Sequence, residues 1–374
     1  VNADRAALAA LAGVEKMTVS RLRSLVRTRS PTSAYGQLVG DRALDVDVAE
    51  LFRRNVGLRE TWRASAQRRA PDEIGARCNQ IGVRVVTPDD DDYPAQLLDD
   101  PRRPEVLFAQ GDLNVLDARR VGIVGTRNPT QAGRQTAARF GHELAAHGVV
   151  VVSGLALGVD AAAHSGALAS EGAPVVAVVA NGHDRPYPRR NSELWRRVAD
   201  RGVVLSEWPP GTPPDAFRFP LRNRILAALS EVVVVVESRE RGGSLITARE
   251  AIDRSIDVFA VPGSLDNRAA AGTNLLLRDG AAPATEPADI LATLGIDQRR
   301  AGRARFDTRP APTTDERPVL ERCRRGPVTL EIIGTELGLD IAQAAMVLAR
   351  LERSGWLCET GGWFQLLDEW AELV

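Results

Sequence analysis

The sequence predicts an α/β protein built around a doubly wound, mostly parallel sheet. Three observations predict it. Six short Val-rich runs recur in the middle of the chain: VGIVG (121–125), VVVVS (149–153), VVAVVA (175–180), VVLS (203–206), VVVVVE (232–237) and VFAVPG (258–263). They are apolar at nearly every position instead of alternately, as strands covered on both faces are. The segments between them are long enough for crossover helices, which parallel neighbours require. An extended Rossmann-like core is therefore expected over residues 81–296.

The flanks follow a different rhythm. In residues 1–80, Leu8, Leu11, Val14, Val19, Leu22, Leu25 and Val26 recur at helical spacing, and no strand alternation interrupts them. The stretch LAALAGVEKMTVSRLRSLV has the outline of a helix-hairpin-helix or SAM-like element. Its turn, Gly13-Val14-Glu15, lacks a second glycine and sets an acid where a phosphate would sit, so a degenerate, structural copy is expected. Residues 297–315 are rich in Pro, Arg and Asp without apolar periodicity, and read as a linker. Residues 316–374 show three helical patterns (PVLERC, TLEIIGTEL and DIAQAAMVLARLERSG) and then WLCETGGWFQL, a strand-turn-strand. That order predicts a C-terminal winged helix.

Composition narrows the function. Of 374 residues, 44% are hydrophobic and 26% charged, ordinary values for a globular protein. No apolar stretch is long enough to span a bilayer, so no membrane span is expected, and VNADRAALAAL does not read as a signal peptide. Cys78, Cys323 and Cys358 are odd in number and far apart, forming neither a disulfide ladder nor a zinc pattern, which fits the expectation of a reducing cytoplasm. A net charge of −1 argues against indiscriminate coating of nucleic acid but leaves room for a local basic groove. Lys16 is the only lysine, so every other basic phosphate contact must come from arginine, whose guanidinium grips phosphate with two parallel donors.

In an open parallel sheet, ligands bind beyond the carboxyl ends of the strands. Four loops fall there. They are Thr126-Arg127-Asn128-Pro129, then Ser153 to Gly158, then Asn181-Gly182-His183 leading to Tyr187-Pro188-Arg189-Arg190-Asn191, and Arg241-Gly242-Gly243-Ser244-Leu245-Ile246-Thr247. Glycines bring backbone amides close to an oxyanion, and helix N-termini near Val159 and Ile246 add positive ends. Ser153, Ser244 and Thr247 supply hydroxyls, while Arg127, Arg222 and Arg224 supply full charge. Together these predict a phosphate-binding cleft, although Arg222 and Arg224 read equally well as structural salt-bridge partners.

Other chemistries find less support. The first loop spaces its glycines as Gly122-x-x-Gly125, and Ser153-Gly154 stands where a dinucleotide site needs an acid, so no bound NAD or FAD is expected. Asp160 and His164 lie one helical turn apart but lack a third metal ligand, and no metal site is expected. Four histidines and no G-x-S-x-G elbow leave nucleophilic hydrolysis unsupported. Aromatics make up only 5% of the chain, so Tyr187, Phe217 and Phe219 offer at most local stacking.

The blocks VGIVGTR, SGLALGVDAAAH, YPRRN, FPLRNRI, GGSLITA, VFAVPG and GTNLLLRDGA, in this order, resemble the signature of the bacterial DNA-processing family DprA, also called Smf. The lead-in from Tyr93-Pro94 through Val106-Leu107-Phe108 to Gly111 resembles that family too. The resemblance implies a non-enzymatic protein without cofactor that binds single-stranded DNA with little sequence preference. It further implies loading of the RecA recombinase on incoming DNA during transformation, and a homodimer formed through the core. By motif position Arg127 resembles the key DNA-contacting arginine, and Arg189 or Arg190 a basic residue after Tyr-Pro. Gly154, Arg222, Arg224, Gly243 and Ser244 fall in matching blocks, and Leu275, Leu276 and Leu277 offer a dimer surface.

The chain departs from the pattern at Ser255-Ile256, where the family usually has Gly-Arg. The alternative function is a nucleotide-binding enzyme or sensor of the phosphoribohydrolase type, with Glu250 as catalytic acid. It is weakened by Ser244-Leu245 standing where that group needs Gly-Thr. A winged-helix transcription factor is a third reading. Against it, the candidate recognition helix Asp340–Ser354 offers only Arg350 and Arg353, both at its far end.

Overall fold

The computed structural model describes residues 1–40, 46–296 and 309–367. The chain folds into two compact units, Val1–Phe306 and Asp307–Val374.

The first unit is organised by a nine-stranded sheet. Its strands are β1 (Arg84–Val86), β2 (Leu107–Gly111), β3 (Arg120–Val124), β4 (Val150–Ser153), β5 (Val175–Val179), β6 (Gly202–Ser206), β7 (Val232–Val235), β8 (Asp257–Ala260) and β9 (Ala282–Pro283). Their spatial order is β1-β2-β6-β5-β4-β3-β7-β8-β9. From β6 to β9 every neighbour is parallel, with Val121 opposite both Val151 and Val232. Only β2 against β6 and β1 against β2 run antiparallel. All six Val-rich runs form strands, and Val151, Val176 and Val233 are wholly buried, as strands between two helical layers must be. Three strands escaped the reading. β1 and β9 are too short to show a period, and β9 ends in Pro283.

The order reverses at β3. The chain steps outward through β4, β5 and β6, then returns to lay β7 on the other side of β3. This is the topological switch point, where loops diverge and a crevice opens.

Six helices precede the sheet: α1 (Ala3–Ala12), α2 (Val19–Val26), α3 (Pro31–Val39), α4 (Val46–Arg54), α5 (Leu58–Gln67) and α6 (Pro71–Gln80). Asn2, Thr18 and Ser30 cap the first three with side-chain oxygens. Leu8, Leu11, Leu22, Leu25 and Trp62 share one core with Val83, Val85 and Phe108, so these helices close over the antiparallel edge of the sheet. In the degenerate hairpin turn, the Glu15 amide donates to Ser65 Oγ at 3.0 Å.

The remaining helices of this unit are α7 (Ala95–Leu98), α8 (Gln131–Ala146), α9 (Val159–Ala169), α10 (Ser192–Arg201), α11 (Arg218–Ala228), α12 (Ser244–Ile252), α13 (Ala271–Arg278) and α14 (Pro287–Thr293). On α13, Leu275, Leu276 and Leu277 are all half-buried, and Leu276 packs against the main core.

The second unit contains α15 (Glu316–Cys323), α16 (Leu330–Leu337), α17 (Ile341–Arg353) and the hairpin β10 (Leu357–Thr360) with β11 (Trp363–Leu366). This is the three-helix-and-hairpin order the sequence predicts. Of the expected linker, 297–308 lie outside the described residues, as do 368–374 of the expected winged helix. Arg309 stacks 3.7 Å from the Trp356 ring centroid, and Trp356 Nε1 donates to Pro310 O at 3.0 Å. No single helix among the described residues is long and apolar enough to cross a membrane.

Candidate nucleic-acid interface

Three loops meet at the carboxyl edge of β3, β4 and β7. The loop after β3 is clamped by Glu237, whose carboxylate accepts from Thr130 N at 2.8 Å and Thr130 Oγ at 2.6 Å. The Glu237 carbonyl also accepts from Thr126 N at 2.7 Å. Thr130 then caps α8, so both ends of the loop are fixed and Arg127 is left exposed at its tip.

The loop after β4 turns through Gly158, at φ +85°, directly beneath the backbone of Thr126 and Arg127, where no side chain fits. Asn191 Nδ2 donates to Leu155 O at 2.9 Å and Ala156 O at 3.2 Å, tying the Tyr187–Asn191 segment to that loop. After β7, Ser244 Oγ donates to Ser238 Oγ at 2.9 Å where α12 begins.

Between these loops lies an open cleft of about 840 Å³. Arg127, Arg239 and Arg241 line it together with Gly242, Gly243 and Ser244 at the start of α12. Tyr187 and Phe219 form its aromatic wall. Arg127 Cζ sits 4.7 Å from the Phe219 ring centroid, and the Tyr187 and Phe219 centroids are 5.7 Å apart. A side pocket of about 30 Å³ opens beside Gly154, Asn181, Tyr187 and Phe219. Among the described residues, Arg127, Arg239 and Arg241 form no ion pair. Their charge, the amides at the helix start and an aromatic face together suit a ligand carrying both phosphate and rings.

The predicted residues divide. Arg127, Gly243, Ser244 and Thr247 line the cleft, and Gly154 lines the side pocket. Arg189 and Arg190 are exposed on a 3₁₀ turn but line neither.

Three expectations need correction. Ser153 is wholly buried and its Oγ donates to Ile123 O at 2.6 Å, so its hydroxyl serves the sheet. Arg224 is buried, with Nη2 on the Glu207 carboxylate at 2.5 and 2.6 Å and Nη1 on Arg102 O at 2.6 Å. It is the salt-bridge partner that the sequence left open. Arg222 reaches the cleft wall but is buried there, with Nη1 donating to Gly154 O at 3.0 Å and to Val178 O. Its place against Gly154 explains that glycine, since a Cβ there would come 2.7 Å from Arg222 Cζ. Burial pushes the Arg222 pKa down to about 10, opposed by Asp160 and reinforced by Arg127. Arg222 thus fixes the cleft without offering a free charge to it.

Asp160 accepts from Ala156 N at 3.4 Å, and burial raises its pKa against the pull of Arg222. The His164 Nε2 lies 3.1 Å from Val176 O and burial lowers its pKa to about 4, so the ring is neutral and Nε2 is the donor. The described residues hold no cluster of three potential metal ligands. Glu250 pairs with Arg102 and, at 2.7 Å, with Arg254, away from the cleft. Arg239 was missed, and Arg241 and Phe219 were seen without a role. The signal was the string ESRERGG, two arginines between a strand end and a glycine pair.

Residues 84–295 match the sequence model of the DNA recombination-mediator protein A family. The chain belongs to this family. It is 41% identical to the DNA processing protein DprA of Bacillus subtilis (strain 168), over 59% of this chain and 74% of that protein. A putative DNA processing protein DprA of Mycobacterium tuberculosis is 37% identical over 96% of this chain and 93% of its own length. The X-ray structure of DNA processing protein A from Streptococcus pneumoniae superposes with a TM-score of 0.64 at 30% identity, covering 78% of this chain and 98% of that one. The Helicobacter pylori protein, studied for a unique single-stranded DNA binding mode, superposes at 0.52 with 31% identity, over 57% and 95%. The matched region contains the whole cleft of this DNA recombination-mediator protein A family member.

Proposed function

We propose that this protein binds single-stranded DNA in the cleft, without catalysing a reaction. One observation carries this reading: Arg127, Arg239 and Arg241 line one cleft, exposed and without an ion pair among the described residues, together with the neighbouring rings of Tyr187 and Phe219, over the second of which Arg127 lies. Guanidiniums neutralise phosphates, and aromatic faces accept any base, so affinity follows the backbone and not the sequence. The single-stranded DNA binding mode studied in the Helicobacter pylori relative points the same way. As part of this reading, the protein acts in the cytoplasm as a homodimer through the core, with Leu275 and Leu277 of α13 at the contact. There it delivers RecA to incoming single strands during transformation.

The test is an anisotropy titration of labelled oligothymidylate across a salt series. Three phosphate contacts predict a log–log salt slope near about −2, at roughly −0.7 per contact. Arg127→Ala is expected to lower affinity by about tenfold or more on every sequence and to flatten the slope by about 0.7. Absence of binding at low salt, with nucleoside monophosphates bound instead, overturns the reading.

A further inference from the structure

Arg69 follows α5, where the N-terminal helices meet the loop that runs from β6 into the cleft wall. It is half-buried, yet its guanidinium has no ion pair or side-chain hydrogen bond among the described residues. A Cβ built on Gly13 would lie 2.9 Å from Arg69 Nη1 and 2.8 Å from Pro209 Cγ, which places the guanidinium against that loop. Arg68, its neighbour, is exposed and also without an ion pair.

The far end of the same loop carries Arg218. Its Nη1 donates to Pro213 O at 2.7 Å and pairs with Asp215, while its Nε is buried without an acceptor. Pro214, Ala216 and Phe219, on either side of Arg218 in sequence, line the cleft. Burial lowers the Arg69 pKa first, and the charges of Arg218 and Arg68 lower it further. Among the described residues Asp215 pairs with Arg218, and no acid pairs with Arg68 or Arg69. Stem packing on Pro209 accounts for the position of Arg69 but not for the lack of an acceptor at its head.

We propose that Arg68, Arg69 and Arg218 form a phosphate track that continues the cleft onto the N-terminal helices, so that a strand longer than the cleft is gripped by both. This rests on the single-strand reading above.

The test uses the full chain and two oligothymidylates, about six and about twenty nucleotides long. Arg68→Ala removes an exposed charge, and Arg69→Met removes a charge while keeping an apolar stem on Pro209. The double variant is expected to bind the longer strand roughly five-fold more weakly, with a salt slope shallower by about 0.7 per lost contact. Affinity for the shorter strand stays unchanged, and Arg69→Lys restores part of the loss. Equal loss on both lengths, or no loss on either, overturns the track while leaving the cleft reading intact. Wild-type protein that binds neither length overturns the single-strand reading itself.

Discussion

At the rim of the cleft Arg127, Arg239 and Arg241 reach solvent without an ion pair among the described residues. On α11 Arg222, in the cleft wall, and Arg224, outside it, are each 4% exposed, Arg222 donating to two backbone carbonyls and Arg224 to a carbonyl and the Glu207 carboxylate. The residue type is the same, and burial decides its use. A guanidinium withdrawn from water must be answered by protein acceptors, because an unanswered buried charge is costly. One left at a rim keeps its donors for a ligand. Positive charge alone therefore does not mark a binding site.

The same distinction separates the cleft from the C-terminal unit. There the exposed face of α17 carries Ile341, Ala345 and Met346, and Arg350 is held by Asp315 and by Glu316 at 3.2 Å. Of the arginines of that helix, Arg353 alone has no ion pair among the described residues.

The comparison breaks most visibly at the buried pair. Arg224→Met strands the Glu207 carboxylate, whose pKa burial already raises against the pull of Arg224. Loss of one partner of a buried pair is expected to cost about 3–5 kcal/mol, read as a lower urea midpoint. An unchanged midpoint means the fold tolerates loss of this charge pair.

Acid sharpens the same contrast. The unfolded chain protonates His164 near pH ~6.5, the folded one only near about 4. Between these values the unfolded state binds more protons. Stability is thus fully present above the upper value and falls as pH drops through the window, by at most about 1.4 kcal/mol per pH unit from this group. His164→Gln sets an amide donor at the Nε2 position for Val176 O without a titrating ring, and its stability is expected to decline less between these pH values. Equal slopes for variant and wild type would remove His164 from the acid response.

At the rim, Phe219→Leu is expected to spare stability and weaken oligothymidylate binding by about 1–3 kcal/mol, the value of one stacked base. A variant that binds as wild type does reduces Phe219 to a packing residue. The smallest effect belongs to Arg353→Ala, which is expected to leave single-strand affinity within about 0.5 kcal/mol of wild type. A larger loss, measured by the same titration, brings the C-terminal unit into the binding surface.

Much of this molecule is legible along the chain. The six Val-rich runs predict strands because burial on both faces leaves a mark within a few residues, and Arg127 is legible because it stands directly after β3. Arg239 and Phe219 were less so, since neither belongs to a recurrent phosphate motif. Arg222 and Arg224 are adjacent in motif and alike in type, yet Arg224 turns to Glu207 and Arg222 to the β4 and β5 carbonyls.

By itself the sequence determined the doubly wound sheet, the helical segments on either side and the loops that meet at the switch point, because apolar period and strand length are local properties. Which arginines remain free was decided only by the tertiary structure. Arg224 is silenced by Glu207 and by Arg102, 17 and 122 residues away. Among the described residues, Arg127, Arg239 and Arg241 meet no such partner. Pairing and burial arise from contacts between distant parts of the chain, and no local pattern records them.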